Sequence, residues 1–429
     1  MMKTIKMPCA QWSTLLIIVI FFIWTSSFLW PSIIGLDWIN RIAEVGWLAI
    51  VFIAFINSPQ YRSILLKLLP FISLFGLLLT ITFLFDDEHS YKIELYSKTF
   101  LYSTFGFIAG IVFAKHFKVN EKEADNFLMF LGWSFALLVI LYSFYAAFVG
   151  WNPSISALQI EEIGQYYQGI SRLMAVSALI LVTARAYLPT PVFLISFLLC
   201  VINIVSLGGI GALSGLVLAI FWLLRSFITD AQRKIRLINI LYLVVSFSLI
   251  VYVTLNIDMV NNYNMFVQRI IGKIYFDWGE YETRPWLMLK GLEMWSSGSI
   301  GDFIFGPGPI KYCNSVGYVI EYRHPHNLFV GGVVWFGLFS IVFGAYVIVT
   351  FIRSVSLLFL KHKITNFVTL MFINYFLLSM VGGDFEQNRH FFFMLGAVNY
   401  YLRNLSINKI VTTIRSQSKS CRPIVQAVA

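Results

Sequence analysis

The amino-acid sequence predicts an all-α polytopic membrane protein of about twelve transmembrane helices, with one large outer loop between helices 9 and 10. Three observations carry that reading. Of 429 residues, 59% are hydrophobic and only 12% charged, against about 25% charged in an ordinary soluble domain. Apolar runs of roughly 18–25 residues recur along the chain, each long enough to cross a hydrocarbon core of about 30 Å. Lys and Arg also gather on alternate segments while most acidic residues fall on the others, as a positive-inside membrane protein requires. The composition excludes a soluble enzyme, and spans using more than half the chain leave no room for a large soluble domain.

The first apolar run, Thr14 to Leu36, is long and lacks a small-residue cleavage pattern, so it reads as a permanent span and not a removable signal. Spans then follow near 14–35, 42–56, 68–85, 99–114, 127–149, 171–187, 190–207, 211–228, 237–256, 327–352, 364–382 and 390–402. The second, fourth and last are short, and the last also suits a re-entrant or interfacial helix. Gly211 and Gly215 form a small-xxx-small pair near the outer end of the eighth span, a signature of close helix packing. The chain divides accordingly into nine spans with short loops (1–256), an outer loop (257–326), three further spans (327–402) and a basic tail (403–429). There is no internal repeat, and ionisable side chains are almost absent from the apolar spans, which argues against an ion-coupled transporter.

With both termini inside, 20 of the 31 Lys and Arg fall on inner segments, together with only Glu121, Glu123, Asp125 and Asp230 among the acids. The remaining 17 of 21 acidic residues lie on the outer face or at its edge. The net charge of +10 is therefore a topology signal and no argument for nucleic-acid binding. Cys9, Cys200, Cys313 and Cys421 are spaced neither as a disulfide framework nor as a zinc site.

Polar, aromatic and cationic groups concentrate on the outer face, where an enzyme acting on a lipid-linked substrate would place its site. A smaller outer loop covers roughly 151–170; the larger, 257–326, carries Trp278, Trp286, Trp295 and the run Gly306-Pro307-Gly308-Pro309. Within it, Arg284 to Trp295 reads as an interfacial helix, with Met288, Leu292 and Trp295 on one stripe and Lys290 and Glu293 opposite. Tyr322-Arg323-His324-Pro325-His326-Asn327 then opens an apolar run containing Gly331, Gly332 and Gly337. At the mouth of a span the neutral imidazole of His326 can take a proton from a sugar hydroxyl; alternatively it bonds a backbone carbonyl. A His-x-His metal site from His324, His326 and Glu321 lacks recognisable spacing to further ligands, so no metal or other cofactor is expected.

Arg284 precedes Pro285-Trp286, with Arg269 and Lys273 upstream. A guanidinium fork suits a phosphate or diphosphate and can stabilise a leaving diphosphate without a metal. The alternative is a snorkelling arginine paired with anionic lipid or with Glu280 or Glu282. Arg172 and Arg389 project to the same face, either completing a cationic pocket or anchoring the interface. The Gly-Pro-Gly-Pro run reads as a turn, since its prolines remove two of the N–H donors a phosphate would use. Asp37, in the first outer loop, is a rival carboxylate base or a solvated loop residue.

These features together resemble the O-antigen polymerase and O-antigen ligase superfamily of bacterial inner membranes. The likeness rests on about twelve spans with both ends inside, the large loop between spans nine and ten, Arg284 with Trp286, and Pro325-His326-Asn327 ahead of Gly337. The outer loop ending in Arg389, followed by His390-Phe391-Phe392-Phe393, extends it. The resemblance implies transfer of a glycan from undecaprenyl pyrophosphate at the periplasmic face, without metal or nucleotide sugar. It makes His326 the base on the acceptor hydroxyl and Arg284 the ligand of the donor pyrophosphate. Arg172, Arg269, Arg389, His324 and Asn327 become candidate pyrophosphate or sugar contacts. The partners implied are the lipid-linked oligosaccharide, the bilayer, and a chain-length regulator and flippase. Two departures stand out. Many members carry a Ser-Arg pair near the outer start of span eight, where this chain reads Ser206-Leu207-Gly208-Gly209-Ile210-Gly211, so Arg172 or Arg389 would fill that cationic role. Ser340 stands where a ligase-type pattern has Gly, Thr or Tyr, favouring a polymerase over a ligase; a flippase or transporter for the lipid-linked repeat is the reading from a different class.

Overall fold

The computed structural model describes residues 9–26, 38–57, 59–119, 121–148, 164–207, 210–229, 284–316, 325, 327–360, 362–381 and 388–420. Among these residues the chain is helical, with no strand. The first eight helices are α1 (Cys9–Thr25), α2 (Trp38–Asn57), α3 (Pro59–Phe85), α4 (Lys92–Val119), α5 (Glu121–Phe148), α6 (Gly164–Thr183), α7 (Thr190–Leu207) and α8 (Ile210–Thr229). After the segment 230–283 come α9 (Arg284–Ser297), α10 (Ile300–Phe305), α11 (Pro309–Ser315), α12 (Leu328–Phe336), α13 (Phe339–Val355), α14 (Lys363–Val381) and α15 (Arg389–Ser420). Five helical stretches are long and apolar enough to cross a membrane: Pro59–Phe85, Lys92–Lys118, Lys122–Ala146, Phe339–Phe359 and Lys363–Met380. Shorter apolar helices accompany them at Leu16–Thr25, Gly169–Thr183, Thr190–Ile204 and Ala212–Arg225. The ninth expected span, 237–256, lies outside the described residues.

The core of the bundle is aromatic. Phe21, Phe113, Phe127, Phe367 and Phe393, from α1, α4, α5, α14 and α15, are each fully buried, and their ring centroids lie 5.3–6.0 Å apart, the separation of attractive aromatic pairs. Peripheral helices show the reverse pattern: α3 exposes Leu66, Leu69, Phe71, Leu74, Leu77 and Leu84, a surface that lipid tails would cover. The tightest crossing is α4 on α15. A Cβ on Gly110 would sit 1.9 Å from the carbonyl oxygen of Phe393, and one on Gly396 would sit 2.0 Å from that of Phe107. Two backbones touch there because neither carries a side chain at the crossing.

Hydrogen bonds join like ends of the helices. At one end His116 of α4 lies 2.9 Å from Glu123 and 3.0 Å from Thr14 of α1, whose hydroxyl donates to Glu123 at 2.6 Å. Asp125, Tyr187 and Lys363, from three separate elements, also meet there, with Lys363 Nζ donating to Tyr187 at 2.7 Å. All these residues fall at segment ends that the charge distribution places inside. At the opposite end, here called outer, Glu44 pairs with Arg389, the ring of His390 lies against Trp24, and Asp87 accepts from Asn314 at 2.8 Å.

The apolar run 327–352 is not one span. α12 stops at Gly337, which takes φ 52°, and α13 starts afresh at Phe339. Asn327 caps α12 through its Oδ1, which accepts from the backbone N–H of Phe329 and Val330, while its Nδ2 donates at 3.0 Å to Met380 O at the outer end of α14. At the other end of α12, Trp335 O accepts at 2.9 Å from Thr82, within the last turn of α3. Both ends of α12 therefore touch outer ends of long apolar helices, and its nine residues, about 13.5 Å of helix, run along the outer end and do not cross the bundle. The run reads as a span because seven of the nine residues of α12 are buried and it carries no polar punctuation. Two of the short expected spans are longer in the structure, at Trp38–Asn57 and Lys92–Val119, and α15 continues to Ser420 through residues assigned to the tail.

Candidate functional site

Part of the outer loop, 284–316, is a folded cap over α12. Its first helix, α9, has the extent expected of the interfacial helix but not the expected face. Leu287 and Gly291 are its buried positions, while Leu292 is 38% exposed. The buried stripe is displaced because Gly291, without a side chain, lets α9 approach Val330 and Val334 of α12. Lys290 and Glu293 pair at 3.1 Å on the outside, as expected. Tyr312 of α11 donates to Leu287 O at 2.9 Å, and Trp295 Nε1 donates to Phe303 O at 2.8 Å. Phe303 O also accepts from Leu338 N, just beyond the C-terminus of α12. The C-terminal part of α9 thus lies near the C-terminus of α12, with Gly291 abreast of Val330 and Val334. The two helices run in parallel, which places the start of α9 at Arg284 towards the same end as Asn327.

The Gly-Pro-Gly-Pro run is engaged by the protein itself. Gly306 and Gly308 take φ 91° and 88°, a region closed to other residues. The next two backbone N–H groups, of Ile310 and Lys311, donate to the carboxylate of Asp86 at 3.0 and 2.8 Å, and Tyr96 donates to it at 2.9 Å. A phosphate at this turn would have to displace Asp86. Burial pushes the Asp86 carboxyl above the ordinary carboxylate value, against these hydrogen bonds, which pull it down. Asp302 closes the other side of the cap: it accepts from Lys311 Nζ at 2.9 Å and forms a capping box with Ser299. Burial works to raise its carboxyl, but the bonds from Lys311 and Ser299 outweigh it and hold the group below the ordinary value.

The expected site residues divide into three groups. Arg269, His324 and His326 lie outside the described residues, as do the metal alternative's Glu321, the rival base Asp37 and most of the loop before Arg389. Arg284 forms the first residue of α9, and Asn327, a candidate substrate contact, spends its amide on capping α12 and bonding Met380. Arg172 is half-buried in α6. Arg389 is paired: its Nη1 donates to Glu44 Oε1, Tyr102 donates to the second Glu44 oxygen at 3.3 Å, and the guanidinium lies 5.6 Å from the Tyr102 ring centre. Next to it, His390 is buried between Trp24 and Tyr375, with ring centroids 4.2 and 5.2 Å away, and its Nε2 lies 3.1 Å from Trp24 O. Glu44, Tyr102 and Asp86 are not singled out by the sequence pattern. A lone acid inside an apolar run, as Glu44 is, was the available signal.

Among the described residues no group of three or more His, Cys, Asp and Glu is arranged to hold a metal ion. Comparison with known proteins assigns nothing further: no family model matches the chain, and no characterised protein or solved structure matches it.

Proposed function

We propose that this chain is a membrane-embedded polysaccharide polymerase, moving a growing glycan from undecaprenyl pyrophosphate onto the non-reducing end of another lipid-linked repeat at the outer, periplasmic face. The observation that supports it is the gathering of candidate groups at one end of the bundle: the start of α9 at Arg284, the Asn327 cap next to His326 in the chain, and Arg389 at the start of α15. Anomeric transfer from a diphosphate needs cationic stabilisation of the leaving group and removal of the acceptor proton. A guanidinium and an imidazole are the side chains that supply those two needs.

The test is a lipopolysaccharide gel of the host with the gene deleted, beside the complemented strain. Polymerase activity gives core bearing a single repeat in the deletion and a restored ladder on complementation. Bare core with accumulated lipid-linked polymer would identify a ligase instead, and an unchanged ladder would remove both readings for that polysaccharide.

A further inference from the structure

Arg389 enters the proposed site already held in place, and the residue that holds it comes from the far side of the bundle in sequence. Glu44 lies in α2, Tyr102 in α4 and Arg389 at the start of α15; the Arg389 and Glu44 side chains are 19% and 23% exposed. Glu44 takes Nη1 with one oxygen and the Tyr102 hydroxyl with the other. The Tyr102 ring lies 5.6 Å from the guanidinium carbon, at cation–π range. On the backbone side, a Cβ on Gly106 would come within 3.1 Å of Arg389 O, so α4 presses directly against the start of α15. The long, rotamer-rich side chain is thereby held by Glu44 and Tyr102, and its backbone by α4. A guanidinium carries five N–H donors and a carboxylate engages at most two, so a paired arginine still presents donors to a second anion.

Resting on the transferase reading above, we infer that Glu44 is a positioning residue, which with Tyr102 holds the Arg389 fork for the diphosphate of the lipid-linked donor. A purely structural clasp between α2 and α15 would need opposite charges at these two places, in either order. A positioned diphosphate ligand needs the cation at 389 specifically.

The experiment uses the full-length protein in lipid vesicles with the host's own undecaprenyl-diphosphate-linked repeat, reading polymer formation and thermal unfolding together. Glu44→Gln keeps shape and a hydrogen-bond acceptor but loses the charge. It is expected to raise KM about tenfold, the effect of one weakened charge-assisted contact, with kcat within about a factor of two. The double variant Glu44→Arg with Arg389→Glu is expected to regain the unfolding temperature lost by either single change while remaining inactive. Recovery of both stability and turnover in the swapped protein would overturn the inference in favour of a structural clasp, and so would unaltered kinetics in Glu44→Gln. If the swapped chain does not fold, the Glu44→Gln kinetics decide alone. A wild-type protein that forms no polymer from this donor would overturn the transferase reading and this inference with it.

Discussion

At the scale of single residues, what separates a chemical role from a structural one is which atoms are already spent. Asn327 uses its oxygen on two N–H groups of α12 and its amino group on Met380 O. Replacing it by Ala is expected to cost about 1 kcal/mol through the lost cap, whereas Asp keeps the cap and loses only the bond to Met380. If thermal unfolding instead shows Ala harmless while turnover collapses, Asn327 contacts substrate. His326→Ala is expected to abolish polymer in a folded, inserted protein, and Arg284→Lys, which keeps charge but loses the fork, to lower turnover strongly; normal chain length on the gel in either variant would move that role elsewhere. Asp302 sets a pH dependence with a definite sign. Its carboxyl is held below the ordinary value, so its stabilisation is present above the unfolded value near 3.8 and is lost as pH falls through the folded one. Asp86, held high, works oppositely and favours the fold as pH falls through its raised value. Wild type is therefore expected to lose more stability than Asp302→Asn on acidification below about pH 4, measured by unfolding at stepped pH; parallel curves would contradict the assignment.

At the scale of helices, packing was legible where it left a mark on residue type and hidden where it did not. Gly215 fits its small-xxx-small reading, since a Cβ there would meet Asn374 Oδ1 at 2.5 Å and Ala175 Cβ at 2.8 Å. The same spacing at Gly106 and Gly110 marks a tighter crossing, which the pattern alone does not single out because α4 is long and offers many small residues. Gly110→Ala is expected to destabilise by on the order of 3 kcal/mol by forcing two backbones apart, and Gly396→Ala by a similar amount. Gly301→Ala is the control, its Cβ meeting Ser299 Oγ at an ordinary 3.5 Å. Equal unfolding temperatures for Gly110→Ala and Gly301→Ala would sink the idea of direct backbone contact. The break at Gly337 could not be read from pattern, because hydrophobicity reports how much of a helix is covered and not the direction in which it runs. α12 is as apolar as a span since α9 covers it, and the cover itself became visible only in three dimensions. Likewise Asp86 sits 224 residues from the N–H of Ile310 that it binds, a pairing that no local spacing could disclose.

At the scale of the whole molecule, the contacts between helix ends and the charge count are independent statements about the same topology. The charge count assigns Thr14, His116, Glu123, Asp125, Tyr187 and Lys363 to inner segment ends, and hydrogen bonds tie them into two clusters at one end of the bundle. Asp87, Asn314, Asn327 and Met380, assigned outside, are bonded to one another in pairs at the other end. Agreement of this kind groups the helix ends into two sets, and the excess of Lys and Arg on one of them predicts that set to face the cytoplasm. Single cysteines introduced at exposed positions, in a background with Cys9 and Cys421 replaced by Ser, test both statements at once; the native Cys200 and Cys313 are buried and can stay. Glu293→Cys on α9 is expected to react with a membrane-impermeant maleimide in intact spheroplasts. Lys363→Cys, about half exposed at the other end, is expected to react only after permeabilisation. Reaction of both in intact cells would break the two-ended arrangement. Exchange of their behaviour would keep the bundle but invert it, placing Arg284, Asn327 and Arg389 in the cytoplasm, where nucleotide sugars are at hand and transfer from an outward-facing lipid-linked glycan is impossible.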